Sequence, residues 1–291
     1  MATYVDAASG LNFRHTDGFD DSLLVDSGKM DATLDYIKTH RAAKLELNGS
    51  WGFKLEDLRF LDGVEHLVKG LDVVENRLNL VGIEKLKNLK YLRLTDELNQ
   101  PVKFDEFQQL DYCTLDWNQV YSEAIFPASI TQLQIGAYKP KFGFNQESLD
   151  NLRNITKIKL IQAAISDLFL LNHCGSLIRV DIAYCRSLTD VSALAKHANS
   201  LIRLDIENCK KIADFSPFDE LIKLQWLNLC GCKSVPSLSF LRNLPEISHC
   251  VFYDTVIEDG DLSYLKGIDQ VAFNNKAHYS LKSKDFEYKW S

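Results

Sequence analysis

A triplet of the form apolar–any–apolar returns along this chain every 20 to 26 residues. It reads Leu45-Glu46-Leu47, Leu71-Asp72-Val73, Leu92-Arg93-Leu94, Cys113-Thr114-Leu115, Leu133-Gln134-Ile135 and Ile158-Lys159-Leu160. It continues as Val180-Asp181-Ile182, Leu204-Asp205-Ile206, Leu227-Asn228-Leu229, Cys250-Val251-Phe252 and Val271-Ala272-Phe273. Alternation with period two marks a short strand. A strand recurring at this interval cannot bury its apolar side alone and must stack on copies of itself. The 291 residues are therefore expected to build one elongated solenoid, with the strands side by side and the intervening residues returning behind them.

Composition narrows the partners. The net charge of −7 argues against general nucleic-acid or anionic-membrane binding, which needs clustered cations, and leaves basic proteins as candidates. The opening Met1-Ala2-Thr3-Tyr4-Val5-Asp6 has neither a basic stretch nor a long apolar run, and the end, Tyr288-Lys289-Trp290-Ser291, carries no hydrophobic anchor. No window approaches ~18 apolar residues. The reading is a cytoplasmic protein, monomeric until it meets its partner, with reduced thiols.

Three of the seven cysteines form a row. Cys185, Cys209 and Cys232 each lie five residues after the first residue of a triplet, and Asn76 holds that register after Leu71. A side chain there turns inward where the strand ends and can bond backbone groups that would otherwise be buried unpaired. The thiols are read as structural. Zinc would want paired C-x-x-C spacings, and Cys230-Gly231-Cys232 is only C-x-C, so no metal or other cofactor is expected.

Residues 1–44 read as an N-terminal cap, residues 45–276 as the repeats, and residues 277–291 as a C-terminal cap or tail. Within the first, Asp31–His40 places Leu34 and Ile37 on one helical face. Pro101 and the Tyr138–Lys141 stretch mark loops, the latter inside the step of 25 residues from Leu133 to Ile158. In the second half, Leu188-Thr189-Asp190-Val191-Ser192 overlays Ile212-Ala213-Asp214-Phe215-Ser216, with Asp167 and Asp259 in similar places. Asp there is expected to cap the helical return, and Pro217 suits its first turn.

The unit from Cys209 to Leu229, C-x-x-I-x-D-x-S-P-F-x-x-L-x-x-L-x-x-L-x-L, resembles the short leucine-rich repeats of internalins and of phosphatase-regulator proteins. The resemblance spans about residues 45–275. It implies an α/β solenoid: a leucine-rich repeat horseshoe with a parallel concave sheet of about eleven short strands. Short helical or irregular returns would form its convex side. It also implies a protein-binding module. The thiol row is similar to the repeats of F-box substrate receptors, but those repeats run longer and residues 1–44 contain no F-box.

If the apolar triplet positions are core, the residues before, between and after them line the concave face. One cluster contains Tyr91, Arg93, Tyr112, Asp116 and Trp117. The other contains Arg179, Asp181, Tyr184, Arg203, Asp205, Glu207, Trp226, Asn228, Tyr253 and Asp254. Tyr, Trp and Arg bury large area while keeping a polar handle, which suits a contact surface. Neighbouring Arg and Asp could equally satisfy one another across the sheet, although that leaves Trp226 and Tyr253 without a core to fill. Catalysis finds no support: His249-Cys250 puts its thiol at a core position, and no nucleotide-binding or H-E-x-x-H motif occurs. The expected function is capture of one protein, as a stoichiometric inhibitor such as a bacterial immunity protein against a toxin. The alternative is an adaptor presenting a client to a phosphatase or ubiquitin ligase.

Overall fold

The computed structural model describes residues 2–15, 21–40, 43–75, 77–95, 98 and 100–286. Asn76 lies outside the described residues. The chain divides into two compact units: Met1–Gln132 with Phe144–Asn151, and Leu133–Gly143 with Leu152–Ser291.

Unit 1 holds β1 (Thr3–Val5), β2 (Asn12–Arg14), β3 (Ser22–Leu24), helix α1 (Met30–His40), β4 (Ala43–Leu47), β5 (Val68–Val73), β6 (Tyr91–Leu94) and β7 (Tyr112–Asp116). β1, β2 and β3 pair antiparallel, and from β3 to β7 every pair is parallel. Leu45, Leu71, Leu92 and Cys113 face one another across the strands, so the sequence period is the structural register. Leu23 stands opposite Leu45, 22 residues earlier. The segment Leu23-Leu24-Val25 is fully buried and is one more coil, with α1 as its return. The segment read as a cap therefore supplies three strands as well as the expected helix. In α1, Ile37 is buried and Leu34 half-buried.

Unit 2 continues with β8 (Gln132–Gly136, from Leu133 in this unit), β9 (Lys157–Ile161), β10 (Arg179–Ala183), β11 (Arg203–Glu207) and β12 (Trp226–Asn228). After these come β13 (Lys233–Val235), β14 (His249–Phe252), β15 (Thr255–Ile257) and β16 (Gln270–Phe273). Ile158, Val180, Leu204, Leu227, Cys250 and Val271 stand in one register. β13 and β15 form a separate two-stranded sheet just after the strand exits. The step of 25 residues that contains the Tyr138–Lys141 loop also holds α2 (Gln146–Asn151), which belongs to unit 1.

The returns in unit 2 are 3-10 turns, and their starts are written in acidic residues. Asp167, Asp190 and Asp214 each accept the backbone N–H two residues on, at 2.8–3.0 Å, which opens the turns at Phe169, Ser192 and Ser216. Pro217 sits in the first turn of its return. In the next-to-last return the cap lies two residues past Asp259: Asp261 bonds Ser263, whereas Asp259 bonds Asp261.

At the strand ends the thiols reach backbone carbonyls of their own coil and of the coil before. Cys232 Sγ donates to the Ile206 carbonyl at 3.3 Å, and Cys209 Sγ donates to those of Glu207 and Ile182 at 3.4 and 3.9 Å. Cys185 Sγ reaches Ala183 and Leu160 at 3.6 and 4.0 Å. Thr255 continues the row, five residues after Cys250, accepting the Cys232 N–H at 2.9 Å and donating to the Leu229 carbonyl. Burial pushes the Cys232 and Cys250 thiols up to about 12, so they stay protonated at neutral pH.

One residue before this row the chain turns through the left-handed region. Ala137, Gln162, Tyr184, Asn208, Gly231 and Asp254 all have φ between 53° and 68°. Each follows the first triplet residue of its strand by four. The first five donate their N–H to the neighbouring coil at 2.8–2.9 Å, so the ladder survives the corner.

His197 gives unit 2 a pH signature. Its ring is buried at 1% exposure, with Nε2 on the Leu171 carbonyl at 3.1 Å and Nδ1 facing the Leu177 N–H at 3.4 Å. That pairing requires neutral imidazole carrying its proton on Nε2, and burial holds the pKa below the usual value. The unfolded chain takes up a proton below about pH 6.5 that the native ring refuses. Stability from this group is therefore full above about pH 6.5 and lost as pH falls. Between pH 7.5 and 5.5 the wild type should lose up to about 1 kcal/mol more than His197→Gln in urea titrations. Equal pH slopes would remove His197 as the cause.

Candidate binding face

The exposed side of the unit 2 strands carries side chains in columns set by the register. Arg179, Arg203, Trp226 and His249 lie in one row, and Asp181, Asp205 and Asn228 in the next. Arg179 Nε contacts both Asp181 carboxylate oxygens at 2.9 and 3.0 Å. Arg203 donates to Asp205 through Nε at 2.6 Å and Nη2 at 3.3 Å, and Trp226 Nε1 adds a third bond to Asp205 at 3.2 Å. The Arg203 guanidinium lies 4.2 Å above the Trp226 ring, which stacks on His249 at 4.7 Å. Three planar groups thus stand in a row, pinned from one side by a carboxylate. Beyond them Asn228 Nδ2 donates to Glu207 Oε1 at 2.8 Å, and its Oδ1 accepts the Cys230 N–H at 3.0 Å.

The electrostatics explain how this face tolerates so many charges. Asp181 and Asp205 sit side by side and are 9% and 8% exposed. Burial raises the Asp181 pKa, its Arg179 bonds oppose that, and the adjacent Asp205 charge adds to it. Each aspartate thus depends on the arginine two residues before it. The charges satisfy one another, while the aromatic row fills no core. Tyr184 is 47% exposed at its left-handed corner, Tyr253 is half-buried, and Asp254 is exposed. Lys157 and Lys159 extend both rows onto β9, a signal already present in the triplet around Ile158.

In unit 1, Tyr91 and Tyr112 stack at 4.8 Å with planes 1° apart, and the Lys44 ammonium lies 3.9 Å from the Tyr91 ring centre. Arg93 pairs with Asp72 at 3.2 Å and Arg14 with Glu46 at 2.8 Å. Burial raises the Asp72 pKa against the pull of Arg93. Tyr91 is buried under this stack, Tyr112 and Arg93 are half-buried, and Asp116 is half-buried at the end of β7. Trp117 does not join the face. It is 3% exposed and packs on Phe144 at 4.2 Å and Phe126 at 6.5 Å. It shares the register of Tyr184 and Asp254 but lacks their positive φ, so its side chain turns into the core. The structure adds Arg14 and Lys44 to this cluster; Lys44 stands in the column before the first triplet, whereas Arg14 precedes the triplets altogether.

Among the described residues no group of His, Cys, Asp or Glu is placed to hold a metal ion, and no helix is long and apolar enough to cross a membrane.

The repeating strand, turn and 3-10 return define a leucine-rich repeat fold. Internalin F of Listeria monocytogenes is similar in structure, with TM-score 0.60 and 20% sequence identity over 87% of this chain and 73% of that one. Internalin C2 of the same organism aligns at TM-score 0.48 and 21% identity, over 65% of this chain and 83% of that one. No protein-family model matches the sequence, and no curated protein matches it.

Proposed function

We propose that this chain is a non-enzymatic module that captures one protein on the strand face of unit 2, as a stoichiometric inhibitor of the immunity-protein kind. The observation that carries the reading is the Arg203–Trp226–His249 row, held by Asp205 before any partner arrives. Side chains already fixed in place lose little entropy on binding, and Trp and Arg are the residues that dominate interface energetics. The net charge of −7 favours a basic partner. A cytoplasmic monomer binding one-to-one fits this role. The adaptor alternative draws on the separate Tyr91–Tyr112 cluster in unit 1, which would hold a second protein.

The test uses Arg203→Met with Trp226→Ala, which removes the row without placing a third carboxylate beside Asp181 and Asp205. Partner affinity should fall at least tenfold, about 1.4 kcal/mol, with the far-UV spectrum unchanged; melting should fall as well, because Asp205 loses its bonds to Arg203 and Trp226. Unaltered affinity in a folded variant would end this reading. A complex containing two different proteins at once would favour the adaptor.

A further inference from the structure

Among the described residues β1 is the terminal strand of its sheet, paired with β2 alone. Its pairing follows the antiparallel alternation: Ala2 accepts from His15 and Asp6 donates to Leu11, which makes Tyr4 the bonded partner of Phe13. The N–H and C=O groups of Thr3 and Val5 therefore face away from β2. Proteins usually blunt such an edge with lysine, proline or a covering loop. Here the edge bears Val5 at 62% exposure and Tyr4 at 47%.

A groove of about 520 Å³ adjoins this edge on the Tyr4 side, walled by Tyr4, Phe13, Tyr36 and His40. The rings run in sequence, Tyr4 on Phe13 at 5.6 Å, Phe13 against Tyr36 at 5.2 Å and Tyr36 on His40 at 3.8 Å. Among the described residues its charged lining, histidine aside, is Asp6 and Asp35, with no lysine or arginine. Asp6 lies on the same side of β1 as Tyr4. A strand laid along β1 would bond Thr3 and Val5 and place alternate side chains opposite Tyr4 and Asp6, over the groove.

From this geometry we propose that the β1 edge is a docking site for an extended basic segment of a partner protein, added as a further strand with a Lys or Arg side chain in the groove. Backbone bonds supply the attachment, and the aromatic wall with its two carboxylates selects the cation. This surface is independent of the unit 2 face and does not rest on the function proposed for it.

The probe is the peptide acetyl-Lys-Val-Lys-Val-Lys-Val-amide, with Glu in place of Lys as its control, titrated against the full chain. The Lys peptide should bind and slow exchange of the Thr3 and Val5 amides, and the Glu peptide should bind at least tenfold more weakly. Val5→Pro removes one outward N–H at a position where an edge strand accepts proline, and should weaken binding at least tenfold. Asp35→Asn, on the exposed surface of α1, should weaken it several-fold without touching β1. Absence of binding, equal binding of both peptides, or full binding by Val5→Pro would overturn the proposal. So would a wild-type dimer in sedimentation that Val5→Pro dissolves, because a second copy would then be the occupant.

Discussion

Phe218→Ala is expected to destabilise unit 2 by about 3–5 kcal/mol and to lower its melting temperature by about 10 °C or more. The ring is fully buried in the return Ser216–Glu220, edge-on to Phe215 and to Phe240, each at 5.4 Å. Phe240 belongs to the following coil, so the ring joins two successive repeats. In a solenoid each coil is stabilised by its neighbours, and a cavity at such a junction weakens both sides. Thermal unfolding followed in the far-UV would measure the loss. A shift of only a degree or two would mean that the neighbouring returns collapse onto the gap, and that the ring row is not what joins the coils.

Thr255→Val should cost about 2–4 kcal/mol although it keeps the shape of the side chain. The hydroxyl accepts the Cys232 N–H and donates to the Leu229 carbonyl in a site 1% exposed, so valine leaves two buried backbone groups unpaired. Thr255→Cys is the informative partner. Cys185, Cys209 and Cys232 do the same work in the preceding coils, and this substitution should cost less than about 1 kcal/mol. If valine and cysteine give equal denaturation midpoints, closure of the turns by this row contributes little to stability.

Much of this architecture could be read before any coordinates. The triplets are the register of the sheet, because period-two alternation has one solution when a single side is buried. The thiol row and the aspartates of the returns were legible for a similar reason: each answers a backbone need that recurs at a fixed offset. What escaped has physical causes too. Leu23-Leu24-Val25 fits the triplet and lies 22 residues before Leu45, but it stands inside the segment read as a cap, before the run of repeats was taken to start. The β1–β2 hairpin has only three residues a strand, too few to show a pattern. Asp261 was missed because it lies eleven residues after Cys250, one more than Asp190 and Asp214 lie after their triplets, and Asp259 stood nearby as a plausible cap. On the candidate face the strand register sets the columns, but what each side chain does there depends on packing. The sequence reading did not foresee that Asp205 would hold both Arg203 and Trp226. Nor could it foresee that Trp117 would turn inward while Tyr184 and Asp254 turn outward.

The left-handed corners carry a consequence for how such a chain changes over generations. Ala, Gln, Tyr, Asn, Gly and Asp share no chemistry, yet all six accept the same dihedral at the same count from the strand start. Loss of a single residue from a strand would draw the following thiol or threonine into that corner, where the β-branched threonine in particular is strained. Insertion into a return leaves every corner where it was. Length variation among descendants should therefore collect in the returns, or arrive as whole coils of 22 to 24 residues, the spacing from Ile158 to Cys250. Gain or loss of a complete coil re-forms the same junction on both sides. The corner residue thus acts as a reading frame for the solenoid, one that tolerates substitution far better than it tolerates a shift.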